Sequence, residues 1–404
     1  VASESFPIGA LSPALGGTAR VDPASIGRDG AVNRSAAMET IASGLDHRAE
    51  RALLLSLLAS AIDEVPRPLP RGGERIDWGE LTGMAARGRL LVQVQQGLAI
   101  SGIAAPPEVG AAIKAFRQRA LMINSVNLST VQRVSAALDS ASLGFVVLKG
   151  PLQLRVLYGD YFARPSSDLD LLVDRRDYDR AADVLRSLGY VAAERCESRW
   201  WRHYLGEQHF PPPNRSLATV DLHHRVQQPG CPAPRELASY IGNSHRTGLG
   251  SAEVPVLSPV HAGLLAAISF VKAAFHREHA LRYLGDLATQ LLAMSDQERH
   301  VLEVVARAQG ISHLLAFAWD CAATLLPLSL PAPTVRRTLR SLDRETLAAM
   351  VLSPEDPAIE WPKRRHLLWH LCDPIGPLGR VGVYAAEAGF AAAAELSRIA
   401  SRKR

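Results

Sequence analysis

The 404-residue sequence predicts an α+β fold, a small mixed-sheet core flanked by N-terminal and C-terminal helical segments. Three observations predict it. Apolar residues recur at helical spacing up to about residue 142. A short β-branched run, FVVLKG at 145–150, then breaks that spacing. Past Ser258 the helical spacing returns in VHAGLLAAISFVKAAFHREHALRYLGDLATQLLAM.

The elements follow in order. Residues 1–40 are rich in Ser, Gly, Ala and Pro without periodicity, and are expected to be a mobile leader. Residues 41–142 form the N-terminal helical region. Leu53, Leu54, Leu57 and Leu58 give the stripe of a buried helix face. The run PRPLPRGGER, ending at Arg75, interrupts it. A second helix is expected over 79–101. A third runs from Pro107, in the favoured first-turn position, to about Ser142.

The α/β core is expected over 143–230. FVVLKG is a strand, PLQLRVLY a helix and GDYFARPSS a loop. DLDLLVD (168–174) is a strand. RRDYDRAADVLRSLGY (175–190) is an amphipathic helix closed by Gly189. YVAAER is read as a strand, HFPPPNRS as a turn and LATVDLHHRV (217–226) as a last strand. Residues 231–404 form the C-terminal helical region, and its KRRH and SRKR runs read as solvated charge.

Hydrophobic residues make up 47% and charged residues 21%, a globular composition rather than a disordered one. The formal net charge of +5 is small for this length and spread along the chain. It does not favour a nucleic-acid partner, since such binders gather charge on one face. Cys196, Cys231, Cys321 and Cys372 form no CxxC pair, so reduced thiols and a cytoplasmic location are expected. No secretory signal and no membrane span are read in the sequence. The apolar window Leu257–Val271 is too short to cross a bilayer.

The chemistry-bearing stretch is Ser166-Ser167-Asp168-Leu169-Asp170-Leu171-Leu172-Val173. On a strand, Asp168 and Asp170 share one face while Leu169 and Leu171 point into the core. Two carboxylates side by side repel unless a cation or proton sits between them. Hard oxygen donors of this kind suit Mg²⁺, with Mn²⁺ as the alternative. Alone, the pattern also describes an edge strand with a solvated face. Two neighbours decide against that. Upstream, Lys149-Gly150 ends a strand and begins a helix, where backbone N–H groups and an ammonium can meet phosphate. Downstream, Val220-Asp221-Leu222-His223 points Asp221 and His223 to one face. Three acids beside a phosphate cradle are what two-metal phosphoryl transfer needs.

The order LKG, LYGDYFARPSSDLDLLV, Gly-Tyr, VDLHHR and LRYLGDLA resembles the bacterial nucleotidyltransferase family proteins, an uncharacterised group within the DNA polymerase beta-type nucleotidyltransferase superfamily. The resemblance extends from about Phe116 to Leu292. It implies a nucleotidyltransferase core, an ATP-binding or other NTP-binding site, and transfer of a nucleoside monophosphate to a small molecule, peptide or protein. Asp168, Asp170 and Asp221 would be the catalytic and metal-binding acids. Where the superfamily carries Gly-Ser or Gly-Gly at the helix start, this chain has Lys149-Gly150-Pro151.

The remaining candidates are weighed by position. Lys149, Gly150, Ser167 and Arg164 are the candidate nucleotide-binding residues. Arg164 either clamps a phosphate or pairs with Asp160. Ser167 either meets the triphosphate or closes the loop. His223 either orients Asp221 or a substrate, or packs in the strand. Asp286 lies four residues after Arg282 on one helical face, so the two can pair. In the resembled family this Asp recurs, which implies a site-facing or docking role. His276 and His279 lack the HExxH spacing of a zinc site. Asp170→Asn is expected to abolish transfer and slightly to stabilise the metal-free protein. The rival readings are transfer to RNA or tRNA ends, which calls for a basic groove beside the acids, and a degenerate fold that binds nucleotide without catalysis.

Overall fold

The computed structural model describes residues 47–67, 76–198, 200–227, 231–335 and 342–373, with scattered positions between 381 and 392. The expected leader at 1–40 and the SRKR tail lie outside the described residues. Among the described residues, four helices come first: α1 (Arg48–Asp63), α2 (Trp78–Arg87), α3 (Leu91–Ser101) and α4 (Pro107–Ser140). Asp77 caps α2 by accepting from the Glu80 N–H at 3.0 Å. Helices α1 and α3 touch backbone to backbone at Gly97, where a Cβ would sit 2.2 Å from the Leu57 carbonyl oxygen.

Then come β1 (Phe145–Val147), α5 (Pro151–Tyr158), β2 (Asp168–Val173), α6 (Tyr178–Ser187), β3 (Glu207–Phe210), β4 (Thr219–His223), α7 (Ala238–Gly242), β5 (His245–Leu249) and β6 (Ala252–Val256). The strands form a mixed sheet in the order β3-β4-β2-β1-β6-β5. β2 runs parallel to β4 and antiparallel to β1, while β1 runs parallel to β6. Helices α8 (Pro259–His276), α9 (Leu281–Ala293), α10 (Asp296–Ala308), α11 (Ser312–Leu325), α12 (Arg344–Leu352) and α13 (Arg364–Leu371) follow.

Two expectations need correction. YVAAER is not a strand: Val191 is exposed and the segment ends in a single 3-10 turn, Glu194–Cys196. The sheet edge beside β4 is taken instead by Glu207–Phe210, whose last two residues were read as the start of the expected turn. The sheet also continues past residue 230, through the β5–β6 hairpin turned at Gly250 (φ 61°).

The alternation of side chains divides the sheet between two cores. Leu169, Leu171, Val220 and Leu222 face α4 and α6 in one apolar cluster. Val146, Leu148 and Leu172 face the other way, into the cluster built by α1–α3 and α8–α12. Asp168, Asp170 and Asp221 alternate onto this second face, so the acids point toward the helical bundle. Helix α8 has the length and apolarity of a membrane span, and 67% of it is buried in this cluster. It is longer than the apolar window read from the sequence.

Candidate active site

Parallel pairing sets Asp170 directly beside Asp221 and Leu172 beside His223. Antiparallel pairing then sets His209 beside Asp221 and Glu207 beside His223. Cross-strand partners share a face, so β2, β4 and β3 present Asp168, Asp170, Asp221, His223, His209 and Glu207 together. Asp170, Asp221 and His223 each offer a ligand atom within 4.8 Å of the others. Asp168 shares their face one step along β2, outside that 4.8 Å group.

The two histidines tie the acids together. His223 Nε2 lies 3.1 Å from Asp170 Oδ1, and His209 Nδ1 lies 2.6 Å from Asp221 Oδ1. Their other ring nitrogens face Glu207, at 3.7 Å from His223 and 3.4 Å from His209. Glu207 and His209 were missed in the sequence. The only signal was the period-two spacing of Glu207 and His209 in a short polar run.

The charges are uneven. Burial, then the neighbouring charges of Asp170 and Asp221, push the Asp168 carboxyl up to about 6. Burial also opposes the Asp170 charge, but Lys149 and His223 outweigh it and hold that carboxyl far below the usual range. For Lys149, burial is outweighed by Asp170, Tyr283 and Asp168, so its ammonium is held above the usual lysine value. For His223, burial is outweighed by Glu207 and Asp170, which raise its pKa.

A cleft of about 280 Å³ opens over Asp168 and Asp170. Lys149, Gly150, Ser166, Arg89, Arg282 and Tyr283 are among its walls. Lys149 makes no hydrogen bond or ion pair among the described residues. Gly150 has φ 101°, a conformation that glycine adopts without strain, and its carbonyl accepts the first helical bond of α5 from Leu154 at 3.1 Å. Pro151 occupies the first helical position. The free N–H groups of that first turn begin beside Lys149.

Two buried asparagines on α4 hold the approach to β2. Asn124 donates to the carbonyls of Tyr161 and Arg164 at 2.6 and 2.9 Å and accepts from the Ser166 N–H at 2.8 Å. Asn127 donates to the carbonyls of Ser166 and Asp168 at 3.1 and 2.6 Å. Both have zero exposure.

Three sequence expectations change. Arg164 pairs with Asp286, at 2.8 and 2.6 Å, and not with Asp160. Its fork is thereby filled, which leaves it a positioning rather than a phosphate-clamping geometry. Asp286 does not pair with Arg282, which instead donates to Tyr283 Oη and to the His279 carbonyl. Ser167 is exposed and Ser166 lines the cleft in its place.

The family model described as uncharacterised nucleotidyltransferase matches residues 74–327. The chain belongs to this family. The match covers more than half of the sequence and every residue of the site described above. This nucleotidyltransferase matches no curated protein. Among solved structures it is similar to an antigenic nucleotidyltransferase-like protein from Paracoccidioides brasiliensis, over 47% of this chain and 92% of that one, with 15% identity and a TM-score of 0.28.

Proposed function

We propose that this nucleotidyltransferase moves a nucleoside monophosphate from an NTP to an acceptor that is a small molecule, a peptide or a protein, with Mg²⁺ as its cofactor. The observation that carries the reading is one sheet face bearing Asp168, Asp170 and Asp221, of which the first two line a cleft together with Lys149 and Gly150 at a helix N-terminus. The donor set fits a hard divalent cation, because it is all oxygen at Asp168, Asp170 and Asp221. Burial, with Asp170 and Asp221 beside it, opposes the Asp168 charge, and a bound cation would offset that cost. Those three acids would hold Mg²⁺, with Mn²⁺ as substitute. When bound, the cations would screen the triphosphate and the attacking oxygen.

The chain's own groups do the rest. An acceptor atom attacks the α-phosphorus, the bond from that phosphorus to the bridging oxygen breaks, and pyrophosphate leaves. The acceptor's proton passes to Asp221, whose Oδ1 is held by His209. Lys149 and the first N–H groups of α5 take the charge that builds on the leaving pyrophosphate. Arg164 and Asp286 hold α9 against the loop before β2, which keeps the cleft in shape.

The test is incubation of the protein with each labelled NTP, Mg²⁺ and fractions of a cell lysate. The expected result is label carried into one fraction by wild type and not by Asp170→Asn of equal melting temperature. Equal labelling by both proteins overturns the assignment.

A further inference from the structure

We propose that Arg89 and Arg282 form a phosphate clamp on the wall of the cleft, a second anion subsite besides the Lys149 cradle. Its ligand is a phosphoryl group, either the end of the donor's phosphate chain or a phosphate carried by the acceptor. The proposal deepens the nucleotide reading and rests on it for the source of that phosphate.

Arg89 comes from outside the α/β core. Helix α2 ends in a turn where the Leu90 N–H donates to the Ala85 carbonyl at 2.8 Å and the Arg89 N–H to that of Ala86 at 3.0 Å. This pattern puts the residue at 89 in the left-handed region, where glycine is the usual occupant. Arg89 stands there with φ 57°, and the glycine sits one position earlier, at Gly88. A large side chain is thus kept at a backbone position that disfavours one. That side chain lines the cleft with Asp168, and its guanidinium donates to the Pro165 carbonyl at 3.4 Å. Among the described residues it makes no ion pair.

Arg282 lies in the first turn of α9 and lines the same cleft. It donates to the His279 carbonyl at 3.0 Å and to Tyr283 Oη at 2.8 Å. Those bonds leave most of its five N–H groups for a ligand. Among the described residues it has no acidic partner either. Its guanidinium carbon lies 4.3 Å from the centroid of the Tyr283 ring. Because Tyr283 Oη accepts from Arg282, its own proton remains to be donated.

The two guanidiniums are neighbours in charge as well as in place. Arg89 is exposed as a residue, yet its head loses water against the cleft wall. That loss, then the charge of Arg282, hold it below the usual arginine value. For Tyr283, burial is outweighed by Arg282 and Lys149, so its hydroxyl is held below the usual tyrosine value. Like charges gathered on one wall repel, and a multiply charged anion between them turns repulsion into attraction. Two planar forks match the oxygens of a phosphate, each of which accepts from an N–H.

The experiment titrates the full-length protein by calorimetry in excess Mg²⁺, with inorganic tripolyphosphate and separately with a non-hydrolysable NTP analogue. Tripolyphosphate affinity should fall roughly ten- to a hundredfold in Arg89→Gly and in Arg282→Gln, and Arg89→Lys should recover part of the loss. The melting temperature of Arg89→Gly should equal or exceed that of wild type, because glycine relaxes the left-handed turn. An equal loss for the analogue names the donor as the source of the phosphate. Unchanged affinity for the analogue names the acceptor. Tripolyphosphate affinity unchanged in both variants overturns the clamp, and so does a wild type that does not bind it. Weaker binding of Arg89→Gly together with a lower melting temperature makes Arg89 a structural residue and overturns the clamp as well. Wild type that binds tripolyphosphate but not the analogue overturns the nucleotide reading and leaves the clamp standing.

Discussion

Arg164 and Asp286 meet in a two-pronged ion pair across 122 positions of sequence, and the Tyr158 hydroxyl donates to the same carboxylate at 2.6 Å. The Arg164 side chain is 14% exposed and that of Asp286 9%. Removing one partner leaves a charge with little water to replace it. Asp286→Ala should therefore cost about 3–5 kcal/mol of stability, read as a lower midpoint in urea unfolding. Asp286→Asn should cost less, since the amide oxygen still accepts. An unchanged midpoint for Asp286→Ala would show that the pair contributes nothing.

Asp168 gives a pH dependence with a definite sign. Its carboxyl in the folded protein, pushed up to about 6, lies above the ordinary 3.8. Between these values the folded protein still holds a proton that the unfolded chain has released. Stability is therefore lost as pH rises from about 4 to about 6, and it stays lost above. In metal-free protein, Asp168→Asn should recover about 2–3 kcal/mol at pH 8 and almost nothing at pH 4. Parallel unfolding curves for the two proteins across this range would refute the charge imbalance. The sequence placed this gain at Asp170, but Lys149 and His223 stabilise the Asp170 charge, so Asp170→Asn should not recover it.

Lys149→Ala should weaken binding of a non-hydrolysable NTP analogue in Mg²⁺ by roughly ten- to a hundredfold, as expected of a charge-assisted contact worth about 1.5–3 kcal/mol. NMP should be affected far less, because the β- and γ-phosphates are absent. Lys149→Arg should rescue in part. Calorimetric titration with both nucleotides decides the matter, and equal losses would remove Lys149 from the phosphate site.

Asn127→Ala leaves two partly buried carbonyls, those of Ser166 and Asp168, without their amide donor. The cost should be about 2 kcal/mol, with a lower transfer rate at saturating Mg²⁺ because the start of β2 loosens. Thermal melts and steady-state rates measured together would test this. A stable protein with full activity would show that water replaces the amide.

The alternating pattern of β2 and β4 made their acids readable, because a strand's two faces are encoded every second residue. β5 and β6 were not readable, because Gly248 and Pro255 interrupt HRTGL and AEVPV at the points where a strand would be recognised. Glu207 and His209 were hidden in a short polar edge strand that runs straight into Pro211. The Arg164–Asp286 pair was out of reach for another reason. Sequence spacing exposes neighbours on one helix, such as Arg282 and Asp286, but not partners brought together by packing.

The passage from β6 to α8 has a mechanical consequence. Only Leu257 and Ser258 separate the strand from the helix, and Ser258 caps α8 through the His261 N–H. Val146, Leu148 and Leu172 of the sheet share one apolar cluster with α8 and α9. Among the described residues, this shared core joins the sheet that carries the acids to the helices on the other side of the cleft. Moving the sheet against these helices would break that packing, so the cleft behaves as a fixed mould rather than as jaws that open and shut.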